Sequence, residues 1–159
     1  MILLNKMLDQ GNNLFRRNIL DEASAVYKEA LERINQLCDD QIFALRHLHL
    51  CLLLNLSRSQ RKTGDIDKAI NVATEAVNIN PESTEALVTR AKAFKMGNMT
   101  LEALEDYSAA LEIDPTNKLI YFDYLKLREE WKSTKNAFLS QSYDSIVYID
   151  DSVTNCSSI

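Results

Sequence analysis

Two stretches of this chain, GDIDKAINVATEAVNINPES (64–83) and GNMTLEALEDYSAALEIDPTN (97–117), lie in register. Ala69 meets Ala103, Ala76 meets Ala110 and Pro81 meets Pro115, each pair 34 residues apart. The halves that precede them agree as well, with Leu53 over Leu87, Ser57 over Ala91 and Gln60 over Phe94. A fixed period of this length marks one supersecondary unit that cannot bury its apolar face alone. Neighbouring units must stack, and the stack becomes the core.

A third copy precedes these two, MLDQGNNLFRRNILDEASAVYKEAL (7–31), with Gly11 at the small position and Ala23 and Ala30 at the two alanine positions. Ala23 and Ala69 are 46 apart, so twelve extra residues lie between the first and second copies. They fall in ERINQLCDDQIFALRHLHLC, which has neither Gly nor Pro, and two helices lengthened by one to two turns, broken near Cys38-Asp39-Asp40, are expected there. Each unit should be an antiparallel helix pair. Gly11, Ser57 and Ala91 are small where the partner helix passes close, and Tyr27 and Tyr107 fill the space between helices. Gly64-Asp65 and Gly97-Asn98 suit the short turns, while Pro81 and Pro115 end the second helices.

Composition agrees with an all-α chain. Only three Gly and two Pro in 159 residues are too few for the turns of a sandwich or barrel, and 46% apolar residues can fill one real core. The last repeat leaves an apolar face uncovered, and LIYFDYLKLREEWKSTKNAF (119–138) supplies a cap, with Ile120, Tyr124, Leu127 and Trp131 at helical spacing. The expected fold is a superhelix of three antiparallel helix pairs plus a C-terminal capping helix. The repeats cover about 4–37, 50–83 and 84–117, the cap 118–138, and the whole domain 1–138. Residues 139–159 lack Lys and Arg and are rich in Ser and Asp, which reads as an acidic tail with one β-prone island, SIVYID.

The period, the alanine and glycine positions and the two prolines together make residues 4 to 131 resemble the tetratricopeptide-repeat family. LLLNLSRSQRKTGD (52–65) after a lengthened first unit also looks like the repeat region of the TANC and rolling-pebbles scaffold proteins. Gln60, Ala73 and Arg90 depart from the repeat's preference for large apolar residues, which suggests looser packing around the second unit.

The resemblance implies a concave groove lined by the first helix of each unit. Helical phase then places Leu8, Asn12, Phe15 and Arg16 in it from unit one. Unit two contributes Leu54, Asn55, Arg58, Arg61 and Lys62, and unit three Glu85, Thr89, Lys92, Lys95 and Met96. The chain carries a net charge of −5, which argues against a general nucleic-acid binder, yet six of these positions are cationic, with Asp9 and Glu85 the nearby acids. An acidic or phosphorylated extended peptide is the expected ligand, held by Asn12, Arg16, Asn55, Arg58, Lys62, Lys92 and Lys95. Helix ends favour Lys and Arg in any case, so Arg61 and Lys62 also fit a solvated helix terminus.

One subclass of the family, the dicarboxylate clamp, holds the acidic C-terminal tails of cytosolic heat-shock chaperones. Asn12 and Asn55 match its asparagines, but Leu8 and Glu85 stand where its lysines belong and Thr89 where its arginine does. Chaperone docking is therefore the alternative reading, beside self-association through the lengthened first hairpin or the cap. The tail offers VYIDD (147–151) as a segment that could fill the groove. Its end, with Ser157 and Ile159, has the form that PDZ domains take by strand addition.

Catalysis finds little support. His47 and His49, two apart on a helix, face different directions, the three cysteines have no CxxC spacing, and no phosphate-cradling glycine loop occurs. A non-enzymatic adaptor without cofactor or metal is expected, placed in the cytoplasm because no stretch approaches a membrane span and no cleavable leader is evident. The scaffold resemblance adds recruitment to membrane-associated assemblies.

Overall fold

The computed structural model describes residues 2–153, and side chains through residue 139. Eight helices occur among them: α1 (Ile2–Arg16), α2 (Leu20–Asn35), α3 (Asp39–Ala44), α4 (Arg46–Thr63), α5 (Ile66–Ile79), α6 (Thr84–Met96), α7 (Thr100–Ile113) and α8 (Lys118–Val153). The pairs α1/α2, α4/α5 and α6/α7 stack through α2 on α4 and α5 on α6, and α8 covers α7. This is the expected superhelix of three helix pairs and a capping helix.

The small residues sit where backbones approach. A Cβ built on Gly11 would lie 2.4 Å from Tyr27 Cε1, and Tyr27, Ala23, Ala69, Ala76, Ala91, Ala103 and Ala110 are completely inaccessible. Ser57 fills the same position in the second unit, and its hydroxyl donates to the Ala69 carbonyl at 2.8 Å. The second unit is joined to the first by Ser59, whose hydroxyl donates to the Leu20 carbonyl at 2.8 Å. Ile120 and Leu127 of α8 are buried against α7, and Trp131 further along α8 carries the Lys135 ammonium 5.1 Å from its ring centre.

The turns use the left-handed backbone at one residue each: Asn18 (φ 61°), Gly64 (φ 91°) and Asn98 (φ 59°). Asn98, not Gly97, is the counterpart of Gly64. Gly97 keeps an ordinary helical-side φ of −82°, and its lack of a side chain answers to Ile66 Cγ2, 3.3 Å from where its Cβ would lie. Asparagine tolerates this region because its short polar side chain bonds locally.

Three expectations need correction. The twelve extra residues do not simply lengthen two helices. The chain breaks at residues 36–38 and forms the separate short helix α3, then turns again at Leu45, whose side chain is buried while Phe43 beside it is 75% exposed. Arg46 then reaches the C-terminus of α5, its Nε and Nη2 both donating to the Ile79 carbonyl. Second, α8 continues to Val153, so the SIVYID island is helical rather than extended; no strand occurs among the described residues to pair with it. Third, Arg90 does not loosen the packing. Its guanidinium forks onto Asp106 (Nε to Oδ2 2.7 Å, Nη2 to Oδ1 2.6 Å) and lies 5.6 Å from the Phe94 ring centre.

Burial of the two helix-pair tyrosines has a pH consequence. Desolvation pushes Tyr27 and Tyr107 up to about 12, and Arg16 and Arg58 only partly oppose it at Tyr27. A tyrosine in the unfolded chain ionises near 10, so the stability that rests on the neutral phenols is complete below pH 10. It is lost as pH rises towards 12. Thermal unfolding followed by circular dichroism should show a falling midpoint across that window. In Tyr27→Phe/Tyr107→Phe the fall should be shallower, and an unaltered slope would refute the assignment.

Candidate functional site

The site begins with a single carbonyl oxygen on the groove floor. Asn12 Oδ1, on α1, accepts from the Tyr27 hydroxyl of α2 at 2.9 Å and from Asn55 Nδ2 of α4 at 2.8 Å. Asn55 Oδ1 in turn accepts from Arg58 Nη1 at 3.3 Å, and Arg58 Nη2 lies 2.6 Å from Glu85 Oε1 of α6. Four helices are thereby tied by one polar chain. Asparagine is a poor former of mid-helix structure, and these two are held by each other, which fixes which edge of each amide faces the groove. The Asn12 amide nitrogen, the second N–H of Asn55 and the remaining N–H groups of Arg58 are the donors left for a ligand. Arg16, exposed one turn beyond Asn12, acts with Arg58 on the Tyr27 phenol electrostatically.

The other cations lie farther out. Lys62 stands 4.4 Å from the centre of the Phe15 ring. Lys92 and Lys95 of α6 face the cap helix, 3.5 Å from Asp123 and 3.3 Å from Glu130. Arg61 is drawn inward, its Nη1 at 3.6 Å from the Met96 sulfur, and burial holds its guanidinium below the usual value. Leu54 and Thr89 are buried and line the core rather than the groove. The structure therefore joins Asn12, Asn55 and Arg58 to Tyr27 in one hydrogen-bonded chain, which Arg16 reaches only electrostatically, and leaves Lys62, Lys92 and Lys95 outside that cluster. Ser157 and Ile159 lie outside the described residues.

Sequence reasoning missed Tyr27, which it read as a space-filler, and the acids Asp123 and Glu130, which it did not single out within the cap. A phenol at the one position where its hydroxyl can reach the neighbouring helix is the signal that was available for Tyr27. For the two acids there was none, because their reach depends on how α8 lies against α6. Beside Glu85 a cavity of about 340 Å³ opens between α6 and α8, walled by Val88, Leu119 and Ile120 and rimmed by Lys92 and Asp123.

Residues 52–83 match the family model of the tetratricopeptide repeat. The fold is that of a tetratricopeptide-repeat domain. Among solved structures, the C-terminal TPR-containing domain of a Plasmodium falciparum protein described as FK506-binding superposes with a TM-score of 0.73 at 27% identity, covering 84% of this chain and 91% of that one. The myosin chaperone UNC-45 of C. elegans, solved with a Hsp90 peptide, superposes with a TM-score of 0.68 at 25% identity over 81% of this chain and 14% of that one. In sequence, dynein axonemal assembly factor 4 of Pongo pygmaeus is 30% identical over 129 residues, 80% of this tetratricopeptide-repeat chain. The chain spans about 29% of that protein's length. The narrower likeness to the TANC and rolling-pebbles scaffolds is not carried by these comparisons. No helix among the described residues is long and apolar enough to cross a membrane.

Proposed function

We propose that this domain is a non-catalytic docking module of the co-chaperone kind, which takes the acidic C-terminal tail of a cytosolic heat-shock chaperone in its concave groove. The observation that carries the reading is the Asn12–Asn55 amide pair, joined at 2.8 Å with the Arg58 guanidinium bonded to Asn55 Oδ1. Amide edges suit the backbone of an extended peptide, and guanidinium groups suit its carboxylates. The likeness to UNC-45, solved with a Hsp90 peptide, and to an assembly factor favours a chaperone tail over other acidic peptides.

The seat differs from the clamp that the family resemblance suggests. Leu8 and Glu85 replace lysines, so the carboxylate must rest on Arg58 and Arg16 instead. Each charge-assisted bond contributes about 1.5–3 kcal/mol net, and ordering a free tail offsets much of the sum. A dissociation constant in the micromolar range, about −8 kcal/mol, follows.

The test is calorimetric titration with a synthetic peptide of the Hsp90 C-terminal tail. The wild-type domain should bind with micromolar affinity and Asn55→Ala at least tenfold more weakly, while Arg58→Glu should lose binding. A tail with an amidated C-terminus should bind poorly. If all the proteins bind the tail equally, or none does while a phosphorylated acidic peptide binds, the chaperone reading fails. The replacement of both clamp lysines is the observation that would then favour an unrelated acidic or phosphorylated partner.

A further inference from the structure

The concave face carries its own acids opposite its cations. Glu85 of α6 meets Arg58 of α4 at 2.6 Å, and Asp123 and Glu130 of α8 meet Lys92 and Lys95 of α6 at 3.5 and 3.3 Å. Each pair crosses from one groove-lining helix to the next. Each acid is also substantially open to solvent: Glu85, the most exposed, is 62% accessible. Such side chains are free to swing away at small cost, since an exposed ion pair contributes little net stability.

Glu85 is the acid that touches the proposed seat. Arg58 spends one N–H on Asn55 Oδ1 and another on Glu85 Oε1. A peptide carboxylate arriving over Asn12 and Asn55 needs that guanidinium and finds a carboxylate already on it. We propose that Glu85 is a specificity-determining residue of the groove: a tethered carboxylate that occupies Arg58 in the free domain and is exchanged for the carboxylate of the ligand. The identity of that ligand rests on the chaperone-tail reading, whereas the exchange itself rests on the Arg58–Glu85 geometry.

Exchange differs from capture by a free cation in two measurable ways. One ion pair forms for each one broken, so added salt screens both sides of the equilibrium and the affinity changes little; capture by an unpaired cation would weaken steeply with salt. Glu85 also repels any second carboxylate near it, so the groove should disfavour peptides in proportion to the acids they place beside α6. Lys92–Asp123 and Lys95–Glu130 repeat the arrangement farther along, which extends the same discrimination to longer acidic segments.

Calorimetric titration of the Hsp90 tail peptide into wild type and Glu85→Gln, each at low and high salt, tests this. Glu85→Gln should bind about tenfold more tightly than wild type at low salt and lose most of that gain at high salt, with wild type nearly flat across both. Equal or weaker binding by Glu85→Gln would overturn the inference, since Glu85 would then serve to position Arg58. If neither protein takes the tail, the chaperone reading fails. Inorganic phosphate, titrated while the Asn55 side-chain amide resonances are followed, then decides the exchange. A response at lower phosphate in Glu85→Gln upholds it, and identical responses overturn it.

Discussion

Asp106→Ala is expected to destabilise the domain by about 3 kcal/mol, a fall in melting temperature of about 6–12 °C for a chain of this size. Asp106 is only 7% exposed and accepts both arms of the Arg90 fork at 2.7 and 2.6 Å. Its removal leaves a guanidinium that is itself four-fifths covered, with Phe94 as its remaining neighbour of note. An uncompensated charge at such a site costs more than the intact pair contributes. Removing both charges should therefore be milder than removing one: Arg90→Leu/Asp106→Ala, which puts an aliphatic side chain where the repeat prefers leucine, should recover more than half of the loss. Chemical denaturation of wild type and the two variants is the measurement. A double variant less stable than Asp106→Ala would show that the pair is stabilising in its own right.

The second large effect is expected at Gly11. Valine there would force a Cβ to within 2.4 Å of the Tyr27 ring, with Cδ1 and Cζ also inside 3 Å. Tyr27 cannot retreat, because it is wholly enclosed. Overpacking of this kind costs about 1–3 kcal/mol, and the upper end applies where the clashing group is a rigid ring. Better helix propensity than glycine returns only a few tenths. The consequence reaches the groove, since a displaced Tyr27 hydroxyl no longer meets Asn12. Gly11→Val should thus lose both stability and tail affinity. Tyr27→Phe, which keeps the packing and removes one hydrogen bond, should lose about 0.5–1.5 kcal/mol. Gly11→Val/Tyr27→Leu should regain part of the stability without the affinity. A Gly11→Val protein with wild-type unfolding would mean that α1 and α2 are not held at this spacing.

Both sites show how far the residues could be read without coordinates. Gly11 was legible because aligning the repeats across the twelve-residue insertion put it over Ser57 and Ala91, and small residues at one register position mean a close helix approach wherever they occur. The alanines, the turns and the cap stripe were legible for the same reason. Arg90 was legible only as a departure. Whether a cation at an apolar position loosens the core or finds a partner depends on what stands opposite on α7, sixteen residues away. A period supplies register within a unit, but it does not say which side chains of adjacent helices meet.

The insertion before α4 gives the same lesson. Twelve residues without Gly or Pro are compatible with longer helices, and helix propensity alone favours that outcome. The expected break near Cys38 occurs, and the chain breaks a second time at Leu45, which is buried, with Arg46 holding the end of α5, contacts that exist only once α4 is packed against its neighbours.

The groove divides along that line too. Sequence put Asn12, Asn55 and Arg58 on one side of the helices, where they do meet in one hydrogen-bonded chain, because helical phase fixes the direction of a side chain from its own helix. It suggested a basic surface, because a count on the first helices included Glu85 but not the acids that α8 brings. Tertiary structure decided that Glu85, Asp123 and Glu130 stand within ion-pairing distance of those cations. The spacing and rotation between successive helices set those distances, and they come from core packing over the whole superhelix rather than from any local stretch of chain.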